Sequence, residues 1–337
     1  MHSAGSPAQH PLEQLVGRSP AFLTCISQLP AISASGASVL IEGETGTGKE
    51  LVARAIHYLS KRAAFPFIAL NCGSLPDTLI EAELFGHERG AFTDAHSPRQ
   101  GLIAQAERGT LFLDEVDTLP PKAQVGILRL VQDKCYRALG STAERQADIR
   151  ILAATNISLL KLAESGVFRI DLYYRLSVFS IHLPPLRARI EDIPILAQHF
   201  LKKHLPADMH LMILSEEAQA ELLHREWRGN VRELENAIIR GIHLCSGTVI
   251  NASDLRLPSR SSDPPAAAPV DRAKLRDFQS MKRSVIENFE RDYLALLMSA
   301  HNGNISAAAR TACKERRDLG RLLKKYDFHP TDFQQRT

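Results

Sequence analysis

The run Gly43-Glu44-Thr45-Gly46-Thr47-Gly48-Lys49-Glu50 narrows what this chain can fold into more than any other stretch. It follows the apolar residues Val39-Leu40-Ile41 and leads into Leu51-Val52-Ala53-Arg54-Ala55-Ile56, which has helical spacing. A short buried strand, a glycine turn and a helix start together make a phosphate cradle. Converging backbone N–H groups meet the anion, glycines let the chain approach it, and Lys49 reaches the terminal phosphates. The expectation is nucleoside triphosphate binding; an ordinary strand-turn-helix with a glycine-rich loop is the bland alternative. In the generic motif a Ser or Thr follows the lysine and touches magnesium, and here that position is Glu50.

At 337 residues the chain can bury a full core and has room for two or three domains. With 44% hydrophobic and 23% charged residues it belongs with ordinary globular proteins, not disordered or fibrous ones. No apolar run approaches bilayer length and residues 1–11 carry no signal-peptide pattern, so a cytosolic protein is expected, with no membrane partner. Cys25, Cys72, Cys135, Cys245 and Cys313 are scattered, without a Cys-x-x-Cys pair or a nearby histidine set, which argues against a disulfide framework or a zinc site. The net charge of +3 hides an asymmetry: residues 271–337 hold 14 Lys and Arg against 9 Asp and Glu, and the rest 27 against 29. The tail is the part suited to a polyanion.

Residues 11–30 read as a lead-in and a helix with Phe22, Ile26 and Leu29 on one apolar face. After the cradle, Phe67-Ile68-Ala69-Leu70 is a second buried strand ending at Asn71-Cys72, and residues 79–84 resume a helical pattern. Residues 86–95 are loop-like. Thr110-Leu111-Phe112-Leu113-Asp114-Glu115 is a third strand, Ile149-Arg150-Ile151-Leu152-Ala153-Ala154 a fourth with Thr155-Asn156 at its end, and residues 178–183 supply a fifth. Strands alternating with helices predict an α/β fold, a mainly parallel sheet between helices, with ligands gathered at the carboxyl ends of the strands. Past Pro184-Pro185 the pattern is wholly helical through residue 249, a small helical lid, with a turn at Trp227-Arg228-Gly229-Asn230. Residues 257–270, rich in Pro and Ser, read as a linker, and a last all-α module follows.

Asp114 and Glu115 close an apolar strand downstream of the cradle. A carboxylate there can hold Mg2+ against the phosphates of ATP, and its neighbour can orient and polarise the attacking water. Two acids after an apolar run are common as a solvated strand end, but behind a phosphate loop the two halves need each other. Asn156, at the end of the next strand, is placed to contact the terminal phosphate or the water; its bland role is a turn residue.

Taken together, the sequence from Gly43 to Glu50, the run Glu83-Leu84-Phe85-Gly86-His87-Glu88, the hexapeptide Gly90-Ala91-Phe92-Thr93-Asp94-Ala95, Phe168-Arg169-Ile170-Asp171-Leu172-Tyr173-Tyr174-Arg175-Leu176, Leu183-Pro184-Pro185-Leu186-Arg187 and Gly229-Asn230-Val231-Arg232-Glu233-Leu234-Glu235-Asn236 resemble the AAA+ activators of sigma-54 RNA polymerase, the bacterial enhancer-binding proteins. The resemblance covers residues 15–257 in the same order. It implies an AAA+ P-loop ATPase subdomain over 15–184 after a lead-in over 1–14, a lid over 185–256, the linker, and a Fis-type helix-turn-helix domain over 271–337. In that family glutamate commonly follows the P-loop lysine, so Glu50 fits.

The resemblance implies further roles. Arg169 and Arg175 match arginine fingers, which reach the nucleotide of the adjacent subunit in a homo-oligomeric, hexameric ring; on their own both read as surface arginines. A planar, permanently charged guanidinium delivered in trans stabilises charge developing on the transferred phosphoryl group. Arg232 matches the second sensor on the lid, and Asn71 the residue that hydrogen-bonds the catalytic carboxylate, here Glu115. The hexapeptide resembles the family's sigma-contacting GAFTGA loop, with Asp94 where the family has glycine. An exposed Phe-Thr tip makes sense if it docks on a partner, the sigma-54 RNA polymerase holoenzyme; Phe92 folded back as a hairpin anchor is the bland alternative.

In the tail, residues 291–300 would form a supporting helix, 305–312 the first motif helix and 315–326 the recognition helix. Arg316, Arg317, Arg321, Lys324 and Lys325 would then meet phosphates and base edges of double-stranded DNA in a major groove. Only about fifteen residues precede the ATPase segment, and family members of this layout suggest control by a separate protein acting in trans or by expression level. The function expected is ATP-dependent activation of transcription by remodelling the closed sigma-54 promoter complex. A rival of a different class is a DNA-binding regulator that uses the AAA+ fold as a nucleotide-responsive assembly switch without engaging sigma-54; Asp94 keeps it in play.

Overall fold

The computed structural model describes residues 14–91, 95, 97–206, 212–257, 287, 290–291, 293–312, 314–326, 328–329 and 333. The chain divides into two compact units, residues 1–258 and 259–337. Residues 1–13 of the lead-in, the Phe92-Thr93-Asp94 tip, residues 258–270 of the linker and Cys313 lie outside the described residues.

The first unit opens with α1 (Pro20–Ser27) and α2 (Leu29–Ser35). The single helix expected here is therefore two. Gln28 separates them, and Pro30, with no N–H to donate, fits only in the first turn of the second. There follow β1 (Val39–Glu42), α3 (Lys49–Tyr58), β2 (Phe67–Asn71), α4 (Asp77–Phe85), a short antiparallel ladder of β3 (Gly86–His87) with β4 (Arg99–Gln100), and α5 (Leu102–Gln105). Next come β5 (Thr110–Asp114), α6 (Pro121–Asp133), a second short ladder of β6 (Cys135–Tyr136) with β7 (Arg145–Gln146), β8 (Arg150–Thr155), α7 (Leu159–Glu164), α8 (Ile170–Leu176) and β9 (Phe179–His182). The segment read as loop-like thus rests on a β ladder at Gly86–His87.

Strands β1, β2, β5, β8 and β9 form one parallel five-stranded sheet in the order β2-β5-β8-β1-β9. Side chains alternate between its faces. On β5, Leu111 and Leu113 enter the core layer with Ile80, Leu84, Ile127 and Leu172, while Phe112 enters the opposite layer with Phe22, Leu29, Val52 and Ile56. Helices therefore cover both faces, as an all-parallel sheet requires. One expectation needs correcting: β2 is only half-buried, with Leu70 its one buried residue, because it is the sheet's edge strand. Parallel register sets Asn71 beside Asp114, and Glu42 beside Thr155, so the polar residues that end these strands share one edge of the sheet.

The lid comprises α9 (Ile193–His204), β10 (Ile213–Leu214), α10 (Glu216–Leu223), α11 (Asn230–Leu244) and β11 (Val249–Ile250). It is not wholly helical, since β10 and β11 pair in parallel and close its far end. Its core gathers Leu196, Phe200, Leu222, Leu234 and Ile238 around Trp227, whose Nε1–H donates to the Leu222 carbonyl at 2.8 Å. Among the described residues no helix is long and apolar enough to cross a membrane.

In the second unit, residues 293–300 are helical and precede the helices Ile305–Thr311 and Arg316–Lys325. The Asn304 side chain caps the first of these by accepting from the Ser306 and Ala307 N–H groups, both at 3.1 Å. Leu294, Leu297, Met298, Ala308, Ala309, Leu319 and Leu323 form its small core.

Candidate functional site

The cradle lies where β1 passes into α3. Gly46 and Gly48 take φ of 79° and 102°, a region open to glycine and costly for other residues. At Gly46 the lid also requires glycine, because a Cβ there would stand 2.3 Å from the Gly229 carbonyl oxygen. The Val231 and Arg232 N–H groups donate to the Gly46 carbonyl at 3.0 and 3.3 Å, so the second-sensor candidate sits directly on the phosphate loop. Lys49 is buried, and its Nζ donates to the Gly43 and Glu44 carbonyls at 2.7 and 3.2 Å. Burial lowers the Lys49 ammonium pKa, opposed by the carboxylates of Asp114, Glu115 and Asp117, which tie this lysine electrostatically to the strand-end acids.

Glu44 bolts the loop to the lid. It accepts two hydrogen bonds from Arg187, at 2.7 and 2.6 Å, and one from Asn230 Nδ2 at 3.2 Å. Asn230, fully buried with φ 53°, also donates to the Thr45 carbonyl at 3.0 Å and accepts the Leu186 N–H at 2.7 Å. The Arg187 hydrogen bonds, with help from Asn230, hold the Glu44 carboxyl down at about 2, against an ordinary 4.5. A depressed carboxylate contributes stability above its unfolded pKa and loses it as pH falls through the folded one. Between pH 4.5 and about 2 the urea midpoint is therefore expected to fall more steeply for the parent than for Glu44→Gln; parallel curves would contradict this coupling.

Asp114 ends β5, and its Oδ1 accepts the Glu115 N–H at 3.0 Å. Glu115 takes φ 52°, a left-handed conformation that costs a non-glycine residue about 1 kcal/mol or more and is found where the backbone must aim a functional side chain. Its Oε2 packs over Gly73, where a Cβ would come within 2.3 Å, and Asn71 Oδ1 lies 3.4 Å from the same point. Asn71 and Glu115 thus border one spot, although no direct hydrogen bond joins their side chains among the described residues. Their register explains it: Asn71 is level with Asp114, one residue short of Glu115. Asn156 Nδ2 donates to Thr45 Oγ1 at 3.4 Å, which puts the end of β8 against the cradle.

Some functional neighbours escape the sequence. Asp117 accepts the Thr155 hydroxyl at 2.6 Å and is a third carboxylate acting on Lys49. Cys72, buried beside the acids, has its thiol pushed up to about 12, first by burial and then by Asp114, Asp117 and Glu115. The Asp114-Glu115-Val116-Asp117 spacing was the only available signal for Asp117. Glu50 is exposed and pairs with Arg54 at 2.7 Å, the ordinary i, i+4 partner on a helix.

Beside the cradle opens a cavity of about 640 Å³ lined by Val16, Phe22, Gly48, Val52, Arg189, Phe200 and Val231 among others. Arg189 is buried over the Phe22 ring, 4.8 Å from its centroid, and donates to the Thr47 carbonyl at 3.1 Å. Its Nε has no hydrogen-bond partner among the described residues, and Arg189 lines this pocket of nucleotide size next to the phosphate loop. Glycine cradle, lysine, acids and pocket therefore fit a nucleoside triphosphate. Among the described residues no set of three or more His, Cys, Asp or Glu side chains is arranged to hold a metal. Mg2+ fits instead in the manner usual for it, through one or two carboxylates plus substrate phosphates.

Comparison with known proteins decides the family. The Sigma-54 interaction domain matches residues 15–182 and the AAA+ ATPase lid domain residues 187–271. The transcriptional regulatory protein GlrR of Escherichia coli K12 is 41% identical over 326 residues, 96% of this chain and 70% of GlrR. The chain belongs to the sigma-54-dependent activators. PilR of Pseudomonas aeruginosa, a response regulator, is 42% identical over 314 residues, 93% of this chain and 69% of PilR. Among solved structures, NtrX of Brucella abortus in complex with ADP superposes with a TM-score of 0.70 at 33% identity, covering 92% of this chain and 68% of that one. The fold is the AAA+ P-loop α/β fold with a helical lid, and the family supports nucleotide binding.

The finger candidates lie elsewhere on this activator. Arg169 precedes α8, its N–H donating to buried Gln124 Oε1 at 2.9 Å, while its exposed guanidinium grips Asp171 at 3.0 and 2.6 Å. Arg175 is exposed in the last turn of α8. Among the described residues neither makes a hydrogen bond or ion pair with the cradle of its own subunit. Of the hexapeptide that is the sigma-contact candidate, the ends are described: the Gly90 N–H donates to the Ala95 carbonyl at 2.8 Å, so they meet at a neck. Glu88, just before it, is held by Arg145 at 2.8 Å. In the tail, Arg316, Arg317, Arg321 and Lys324 are exposed on one helix, whereas Lys325 also binds Glu290 and the Tyr326 hydroxyl, at 3.1 and 2.8 Å. Lys325 is thus partly committed to holding its own unit together.

Proposed function

We propose that this activator is a Mg2+-dependent ATPase that works as a ring, hexameric as in its family, binds upstream duplex DNA through its tail, and remodels the closed sigma-54 RNA polymerase complex into the open one. The observation that carries it is a division of labour within one subunit. Lys49, Asp114, Glu115, Asn156 and Arg232 converge at one edge of the sheet, while Arg169 and Arg175 stand exposed and, among the described residues, make no hydrogen bond or ion pair with that edge. A site so complete in acids and phosphate contacts, whose Lys49 is given to the β- and γ-phosphates, is completed by an arginine of a neighbouring subunit. Exposed apolar side chains flank the two arginines, with Tyr174 at 65%, Val167 at 61% and Val178 at 56% exposure, as expected of a surface that another copy covers.

In this mechanism Lys49 leaves the Gly43 and Glu44 carbonyls for the β- and γ-phosphates. Asp114 would hold Mg2+, which would supply charge neutralisation for the phosphates. Glu115 accepts a proton at its carboxylate from the attacking water, and Asn156 orients that water or the γ-phosphate. Arg169 and Arg175 of the adjacent copy stabilise the equatorial oxygens. The Gly46 to Arg232 and Glu44 to Arg187 contacts pass phosphate-loop movement to the lid, and the neck at Gly90 and Ala95 presents Phe92-Thr93 to sigma-54.

Because the fingers act between copies, specific ATPase activity is expected to rise with protein concentration and to level off once assembly is complete. A flat profile in a preparation shown to be monomeric would contradict the ring. Asp94 in place of glycine favours a second reading, a nucleotide-driven assembly switch that does not engage sigma-54; it retains DNA binding and assembly and predicts no open complexes.

A further inference from the structure

The opposite edge of the sheet carries another concave site. Where the chain enters β1, β2, β5 and β8, a cavity of about 370 Å³ is walled by Lys61, Arg62, Arg108 and Arg150, with Asp148 its one carboxylate. Asp148 is already paired with Arg62. Arg150 is 2% exposed and spends its donors on the carbonyls of Ile32, Ser33 and Ala37, at 2.8, 3.1 and 3.0 Å, with no carboxylate paired to it among the described residues. Burial, reinforced by the Arg62 charge, lowers the Arg150 guanidinium to about 10, so its positive charge stands at a cost that an anion would relieve. Ser33, 1% exposed, also lines this cavity, and its hydroxyl has no hydrogen-bond partner among the described residues. At the rim, Lys61 and Arg108 are exposed, and the Arg108 guanidinium lies over the Phe65 ring, 4.4 Å from its centroid.

We propose that this cavity binds a phosphate-bearing small molecule of about mononucleotide size, at a site separate from the ATP cradle. Arg62 is spent on Asp148 and on the Arg108, Gly109 and Asp148 carbonyls, which leaves Lys61, Arg108 and Arg150 with no carboxylate paired to them among the described residues, a balance that selects an anion, and planar guanidiniums suit phosphate oxygens. Volume matches a small-molecule pocket, and half-buried Phe65 adds apolar surface beside Arg108 for a base or sugar. A duplex backbone is disfavoured because Arg150 is recessed in the wall of a cavity. Strands β1, β5 and β8 run from this cavity to the cradle, so both sites rest on the same rigid elements.

The test uses the full chain with its cradle saturated by a non-hydrolysable ATP analogue, titrated calorimetrically with pyrophosphate and, separately, with AMP. One further saturable event is expected, weakened about tenfold or more by Lys61→Glu with Arg108→Glu, while ATP turnover of that variant stays at the parent value. Phe65→Leu separates the sources: loss of AMP binding alone identifies a nucleotide, and an unchanged AMP affinity matching that of pyrophosphate identifies the phosphate group. Absence of saturable binding in the millimolar range, binding indifferent to the charge reversals, or reversals that weaken only binding of a duplex DNA oligomer would each overturn the proposal.

Discussion

Arg169→Ala is expected to lower ATP turnover about 10³-fold or more at every nucleotide concentration, with nucleotide affinity little changed. The guanidinium is exposed and bound to Asp171 in its own subunit, so removing it leaves the Arg169 N–H to Gln124 bond, α8 and the cradle intact. What is lost is a permanent cation at the phosphate of the next copy. A mixing experiment separates this from misfolding: Arg169→Ala and Glu115→Gln subunits, each nearly inactive alone, regain part of the parent rate when combined. Some mixed interfaces then bring an intact Arg169 to an intact Glu115. Near-parental turnover by Arg169→Ala alone, or no recovery in a verified mixed assembly, would remove the finger assignment.

Glu115→Gln is expected to keep ATP binding and lose turnover by about 10²- to 10⁴-fold, the range for a positioned general base. The amide preserves shape and the contact over Gly73 but cannot accept the proton of water. Equilibrium binding of a fluorescent nucleotide together with steady-state hydrolysis reads both effects. Unimpaired hydrolysis would pass the base role to another group, with Asp117, held by Thr155, the nearest alternative.

The parallel sheet and the gathering of Asn71, Asp114, Glu115 and Asn156 at its edge were legible because each follows a short apolar run, and parallel strands send all such ends the same way. Two kinds of feature were not. Contacts between distant segments carry no local pattern: the Glu44, Arg187 and Asn230 bolt joins residues far apart in the chain, and Arg187 alone is an ordinary surface arginine. Edge position is equally silent, so Phe67-Ile68-Ala69-Leu70 reads as buried when only Leu70 is. Glu50 shows the converse: the family pattern draws it into the nucleotide site, while helix spacing delivers its carboxylate to Arg54.

Sigma-54 engagement remains the step on which the proposed machine turns, and Asp94 is where the sequence departs from its family. The direct measurement is ATP-dependent open-complex formation on a sigma-54 promoter carrying the protein's upstream site, for the parent beside Asp94→Gly and Thr93→Ala. Open complexes with the parent and ATP, retained by Asp94→Gly and lost with Thr93→Ala, are the expected result. Normal DNA binding and ATP hydrolysis by the parent without any open complex would contradict it and leave the assembly switch.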